Sequence, residues 1–151
     1  MTLRKKFVVT LVGAMLALPA LAQDNPAVGA RQGQFKIYLH NFSTLGGMAQ
    51  GRIDYDAAAA QTAADNLFHI TRLDQISMWP AGTDSMSVDG TRAKPEIWEN
   101  LDDFVAKYVA LQTAIEGLQA VAGAGLDAMR GAVGPVGAAC QACHQAYREE
   151  S

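Results

Sequence analysis

The chain's only two cysteines lie in one pentapeptide, Cys140-Gln141-Ala142-Cys143-His144. Cys-x-x-Cys-His is the attachment signature of c-type haem. On a helix, positions i and i+3 share a face, so both thiols can reach the two vinyl groups along one porphyrin edge. The adjacent His144 then turns its imidazole to the iron as axial ligand. Two rival chemistries use the same residue types. A redox Cys-x-x-Cys usually opens a helix after a strand, whereas this one closes a chain that needs no strand. A structural zinc requires four Cys or His ligands, and His40 and His69 would be recruited only by accident of packing. Haem attachment accounts for the whole cysteine complement. None of the residues from Gln145 to Ser151 is Met or His, so any sixth iron ligand must come from upstream, across the fold.

The elements that position this motif read as helices. Segment one runs from about Val28 to Gln50, with Phe35, Leu39, Phe42, Leu45 and Met48 as its apolar stripe, and Gly51 offers a left-handed cap. Segment two begins at Asp54 or Asp56, either of which can accept from the first turn's free N–H groups, and continues to about Ile76. Trp79 to Thr91 shows no periodicity and reads as a long crossover loop. Segment three opens at Pro95, suited to a first helical turn, and keeps a 3-4-3 rhythm to about Ala122. Segment four runs from about Leu126 to Glu149, and Pro135 inside it is expected to kink the helix. Four amphipathic segments with two short joins and one long one describe an all-α fold, an antiparallel four-helix bundle with a covalent haem near the C-terminal helix.

The composition agrees. Half of the 151 residues are hydrophobic but only 7% are aromatic, so Ala and Gly supply much of the core, as close-packed helices require. The formal charge of −3 gives no basic excess to neutralise phosphates, which excludes a nucleic-acid partner. Residues 1–22 read as a secretory signal: Arg4, Lys5 and Lys6, an apolar run from Phe7 to Leu18, then Ala20-Leu21-Ala22 before the cut. That run is shorter than the ~20 residues of a membrane span. The mature domain is then 23–151, more acidic, without a membrane anchor and expected in the periplasm.

Beyond the haem motif, the chain resembles the cytochromes c-prime across essentially the whole mature sequence. The resemblance rests on Arg31-Gln32, on Gly51-x-x-x-Tyr55-Asp56 and on Trp79 before a Gly-containing loop. It rests further on Arg92-x-x-Pro95-Glu96-Ile97-Trp98, and on Val136-Gly137-x-x-Cys140-x-x-Cys143-His144-x-x-Tyr147-Arg148. It implies that Phe35, four residues after Arg31, faces the iron from the side opposite His144. Phenylalanine has no lone pair to give, so the iron is expected to stay five-coordinate and mostly high-spin. Related low-spin members place a methionine there; in segment one the nearest is Met48, more than three turns away. The resemblance also implies that Arg148 lies beside the iron on the His144 side, that Arg31 and Gln32 hold the haem propionates, and that the protein is a homodimer through its first two helices.

A bulky apolar lid favours small neutral gases, nitric oxide above all and carbon monoxide, over water or anions. The expected function is binding of these gases, with nitric oxide sequestration or transport. The alternative is a low-potential periplasmic electron-transfer cytochrome with redox partner proteins. No carboxylates are spaced for acid–base catalysis and no distal His or Arg is in view, so the chain is not expected to be an enzyme.

Overall fold

The computed structural model describes residues 25–150. The expected signal segment, residues 1–22, lies outside the described residues, as do Gln23, Asp24 and Ser151. Four long helices, α1 (Pro26–Ala49), α2 (Ala57–Ile70), α4 (Leu101–Gln119) and α5 (Leu126–Tyr147), are joined by a short α3 (Glu96–Glu99) and a single 3-10 turn, Ile76–Met78. Each long helix packs on two others: α1 on α2 and α5, and α4 on α5 and α2. The result is the four-helix bundle. Among the described residues the one β-type pairing is an isolated antiparallel bridge between Ala93 and Arg148, and no helix is long and apolar enough to cross a membrane.

Local chemistry explains the helix ends. Asn25 caps α1 by accepting from Ala27 N at 3.0 Å, with Pro26 in the first turn. The other end closes as a Schellman motif: Gly51 N donates to Met48 O and Arg52 N to Gly47 O, with Gly51 at φ 70°. Ile53 folds back over Gly47, where a Cβ would meet its Cδ1 at 2.6 Å. Of the two candidate caps for α2, Asp56 is the one used, accepting from Ala59 N at 2.7 Å.

Three expectations are corrected. Segment two stops at Ile70 rather than Ile76, because Thr71 is fully buried and its carbonyl accepts from Tyr108 Oη (2.8 Å) and Gln112 Nε2 (2.6 Å) on α4. Side chains thereby replace the next helical turn. Segment three is broken at Asn100, whose φ −129° and ψ 48° separate α3 from α4; α4 then ends at Gln119 and not Ala122. Finally, the buried face of α1 is only partly the apolar stripe: Leu45 and Met48 are buried and Phe42 packs on the core, but Leu39 is 66% exposed, while the polar Arg31, Gln34 and Asn41 are buried. The inward face runs 31, 34, 38, 41, 45, 48, and its first half is polar. α5 runs unbroken through the exposed Pro135 to Tyr147, so the carbonyl that proline leaves without a donor is on the water side.

The main core joins Leu45, Met48, Ala60, Ala64, Leu67, Ile115, Leu118, Met129 and Val136. Small residues on α2 let the helices approach closely, and a second cluster of Ala93, Ile97, Phe104 and Tyr147 seals the end that carries the haem motif.

Two glycines on either side of the α1 terminus test this account. Gly51→Ala places a Cβ at φ 70° and is expected to cost about 1 kcal/mol. Gly46→Ala, where an added Cβ meets nothing within 4 Å, should raise stability by about 0.5–1 kcal/mol. Urea unfolding followed by far-UV circular dichroism reads both.

Candidate functional site

Cys140, Cys143 and His144 sit in the last two turns of α5, all half-buried. Both thiols are free. Desolvation raises the Cys140 thiol, and desolvation together with the neighbouring Cys140 pushes Cys143 up to about 11. They are therefore neutral near pH 7. His144 is shifted the other way, first by burial and then by the Arg148 and Arg92 guanidinium groups. Its imidazole is neutral at physiological pH and keeps a lone pair for a metal.

Phe35 comes from α1 to face this motif. Its ring centroid stands 6.5 Å from that of His144 at an interplanar angle of 59°. It touches Tyr38 edge-on at 5.7 Å and Trp79 at 6.5 Å. Trp79 in turn packs on Phe104 at 4.9 Å and Trp98 at 6.3 Å, and Phe104 on Tyr147 at 5.5 Å. An aromatic wall thus connects the α1 side of the motif to the end of α5. Paired thiols, a neutral imidazole and a facing ring set in apolar walls fit a c-type haem, with Cys140 and Cys143 to bond it and His144 to ligate its iron. Among the described residues, no group of three or more His, Cys, Asp or Glu side chains could hold a bare metal ion. His40 and His69 are exposed, far from the four-ligand arrangement zinc would need.

The remaining sequence-derived residues divide. Arg31 is not a surface arginine: it is 2% exposed, and its four Nη hydrogens go to Met78 O (3.3 Å), Thr83 Oγ1 (2.8 Å), Thr83 O (2.5 Å) and Thr91 Oγ1 (2.9 Å). Its guanidinium lies 4.5 Å from the Trp79 ring centroid. Burial pulls it below its ordinary value, with Asp84 acting against that shift. Gln32 Nε2 donates to Gly90 O at 2.7 Å. Both residues therefore hold the crossover loop, and any propionate there would share their donors with it. Arg148 caps α5 through its N–H to His144 O at 3.0 Å, and its side chain is exposed.

The sequence pattern does not single out Gln34 or Thr83, and it gives Arg92 a place in a motif but no role. The available signal was the 3-4-3-4-3 spacing of Arg31, Gln34, Tyr38, Asn41, Leu45 and Met48, which marks one helix face whatever its polarity. Arg92 enters through backbone pairing: Glu149 N donates to Arg92 O at 2.9 Å and Lys94 N to Tyr147 O at 3.0 Å. This clip fastens the residues just after the haem motif.

Comparison with known proteins decides the family. The family model described as Cytochrome C' matches residues 26–148. The chain belongs to the cytochrome c' family. It is 38% identical over 146 residues to a cytochrome c' of Cereibacter sphaeroides, spanning 97% of this chain and 98% of that one. A solved cytochrome c' from Rhodobacter Spheriodes superposes with a TM-score of 0.82 at 39% identity, covering 83% of this chain and 97% of that chain. A nitric oxide complex of a mutant cytochrome c prime from Alcaligenes xylosoxidans does so with a TM-score of 0.73 at 35% identity, over 83% and 95%. Cytochromes c' carry c-type haem, and the two cysteines here suit its covalent attachment.

The end of α5 offers a pH test. Tyr147 Oη donates to Asp103 Oδ2 at 2.5 Å, holding that carboxyl below its usual range and pushing the phenol up to about 12. Asp103's share is present above its unfolded value near pH 4 and lost as pH falls through the folded one. The Tyr147 share is present below about pH 10 and lost as pH rises toward 12. The gap in melting temperature between wild type and Tyr147→Phe should thus be widest between about pH 5 and 9 and narrow at both extremes.

Proposed function

We propose that this protein binds small neutral gases, nitric oxide above all and carbon monoxide, at a five-coordinate, mostly high-spin haem iron held by His144 alone. When bound, the haem supplies one open iron position to a diatomic ligand. Everything else falls to the chain. Phe35 stands opposite His144 and has no donor or lone pair, so it does not ligate the iron and offers a charged ligand nothing. The polar groups around it are committed elsewhere. Arg31 is spent on the crossover loop, and Gln34 donates to Tyr38 Oη (2.7 Å) and Ile70 O (3.0 Å). Anions and water would lose hydration there without a replacement bond, while a neutral diatomic loses little. The 6.5 Å opposition of Phe35 and His144 carries this reading, and the relative solved as a nitric oxide complex supports it.

The rest of the proposal follows the same residues. Gln32, exposed and with one amide hydrogen on Gly90 O, contacts a propionate with the other, Arg31 holds the loop beside it, and Arg148 stands beside the His144 face. Residues 1–22 direct export, the mature chain works in the periplasm, and nitric oxide sequestration or transport is its use there. Exposed Ile37, Leu39 and Ile53 at and beyond α1 support dimerisation through the first two helices. Low-potential electron transfer is the second reading. It is favoured by the exposure of Gln141, Ala142 and Gln145 around the motif, which brings a haem edge near solvent and within reach of a redox partner protein.

Optical spectra separate the two. The ferrous protein should show a broad high-spin band that shifts on adding carbon monoxide or nitric oxide; a sharp low-spin spectrum indifferent to both gases would leave electron transfer. Phe35→Ala should speed carbon monoxide association by about tenfold, equivalent to about 1.4 kcal/mol of steric barrier, measured by flash photolysis. An unchanged rate would remove Phe35 from the ligand's path.

A further inference from the structure

Phe35 can act as a lid only if its ring is held still, and the contacts that hold it are unequal. Trp79 touches it from the loop. Tyr38 touches it from the next turn of the same helix, edge-on at 5.7 Å, and that phenol is itself tied down. Tyr108 Oη donates to Thr71 O at 2.8 Å, so its one proton is spent. The Tyr38 proton fills the 3.1 Å contact between the two phenols, since its other acceptor, Ile70 O, is farther, at 3.5 Å, and already accepts from Gln34. Gln34 Nε2 donates to Tyr38 Oη at 2.7 Å. The bonds therefore run one way, from the Gln34 amide to the Tyr38 hydroxyl, on to the Tyr108 hydroxyl, and finally to the Thr71 carbonyl. That carbonyl is one of the acceptors a helix end leaves unpaired, here at the end of α2.

The chain links α1, α4 and α2, three of the four helices of the bundle. Gln34 and Thr71 are buried and both phenols are partly buried. Desolvation raises Tyr38 well above its ordinary value and raises Tyr108 as well, so both stay neutral hydroxyls across the physiological range. A hydrogen-bonded chain of this kind is costly to interrupt because each group it releases is away from water.

We propose that Tyr38 is a positioning residue for Phe35: its phenol, fixed by Gln34 and by Tyr108, holds the Phe35 ring opposite His144 and so sets how fast a diatomic ligand enters. This rests on the reading of Phe35 as the lid. Tyr38 is not proposed to touch the ligand, since its hydroxyl is occupied at both ends.

Carbon monoxide association is measured by flash photolysis on the intact holoprotein and on Tyr38→Phe, Tyr108→Phe, Phe35→Ala and the Phe35→Ala/Tyr38→Phe double variant. Each tyrosine variant keeps its ring and loses one hydroxyl, and each should bind about fivefold faster, the equivalent of one hydrogen bond. In the Phe35→Ala background, Tyr38→Phe should add nothing, because there is no ring left to position. A second readout is independent of rate. In the ferrous carbon monoxide complex, the Phe35 ring resonances of 13C-phenylalanine-labelled protein should show faster flipping in both tyrosine variants.

Unchanged rates and flipping in both tyrosine variants, beside a faster Phe35→Ala, would overturn the proposal while leaving the lid intact. Lowered thermal stability alone would then be their whole effect. A full additional acceleration in the double variant would also overturn it, showing that Tyr38 acts on the ligand by itself. An unchanged rate in Phe35→Ala would remove the lid, and this proposal with it.

Discussion

The buried guanidinium of Arg31 holds the head of the bundle together. An arginine 2% exposed is tolerable only when its donors are satisfied, and here four bonds to residues 78–91 do so. The dependence runs both ways. The crossover between α2 and α3 has little regular structure of its own, so the arginine gives it a fixed shape. That shape places Trp79 against Phe35 and Phe104, and it leads residues 92–94 along the end of α5. Removing the guanidinium would take its donor from the Met78 and Thr83 carbonyls, while the Thr83 and Thr91 hydroxyls would keep only their bonds within the loop, to Pro80 O and from Ala93 N. It would also release the wall of the site, although Arg31 makes no ring contact with Phe35.

The chemistry was more legible in the sequence than the geometry. Cys140, Cys143 and His144 announce themselves because haem attachment constrains residue type and spacing together, and few other uses of two cysteines fit. Four helices were legible for the same reason, since periodicity survives local error. Apolarity alone does not mark the inward face of α1. Leu39 is apolar and exposed, whereas Arg31, Gln34 and Asn41 are polar and buried. Burial of these groups depends on partners far away in sequence, such as Thr83 for Arg31 and Asn66 for Asn41, where Asn66 Nδ2 donates to Asn41 Oδ1 at 3.0 Å. A stripe reading sees no partners. The premature end of α2 has the same origin: nothing near Thr71 ends a helix, and the groups that cap its carbonyl lie on α4.

These polar groups also explain why the space around Phe35 has so little to offer a charged ligand. A donor close to a binding site serves the ligand only if it is not already bound, and Arg31, Gln34, Tyr38 and Tyr108 each have protein acceptors. The fold therefore uses buried polarity to fix helix positions and leaves an apolar surface toward His144. Positions that would supply hydrogen bonds to an oxyanion in another protein here supply rigidity. Under the proposed gas-binding function, selectivity is then a matter of size and charge, set by a benzyl ring and its supports.

α5 carries the motif, and its fastening decides what that motif can do. At its start, Tyr55 Oη donates to Ala122 O at 2.9 Å and Gln61 Oε1 accepts from Gly123 N at 3.1 Å, tying the α4–α5 turn to the region of α2. At its end, Tyr147 holds Asp103 of α4, and the pairing of Arg92 and Lys94 with Tyr147 and Glu149 fixes the backbone that follows His144. A helix held at one end alone would swing its histidine through a wide arc. Held at both, it presents one imidazole at a set distance from α1, and the 6.5 Å between His144 and Phe35 becomes a property of the bundle rather than of either side chain. Under the proposed gas-binding function, a change to the opposing ring is then felt as a change in ligand entry, because the imidazole is held from both ends of its helix.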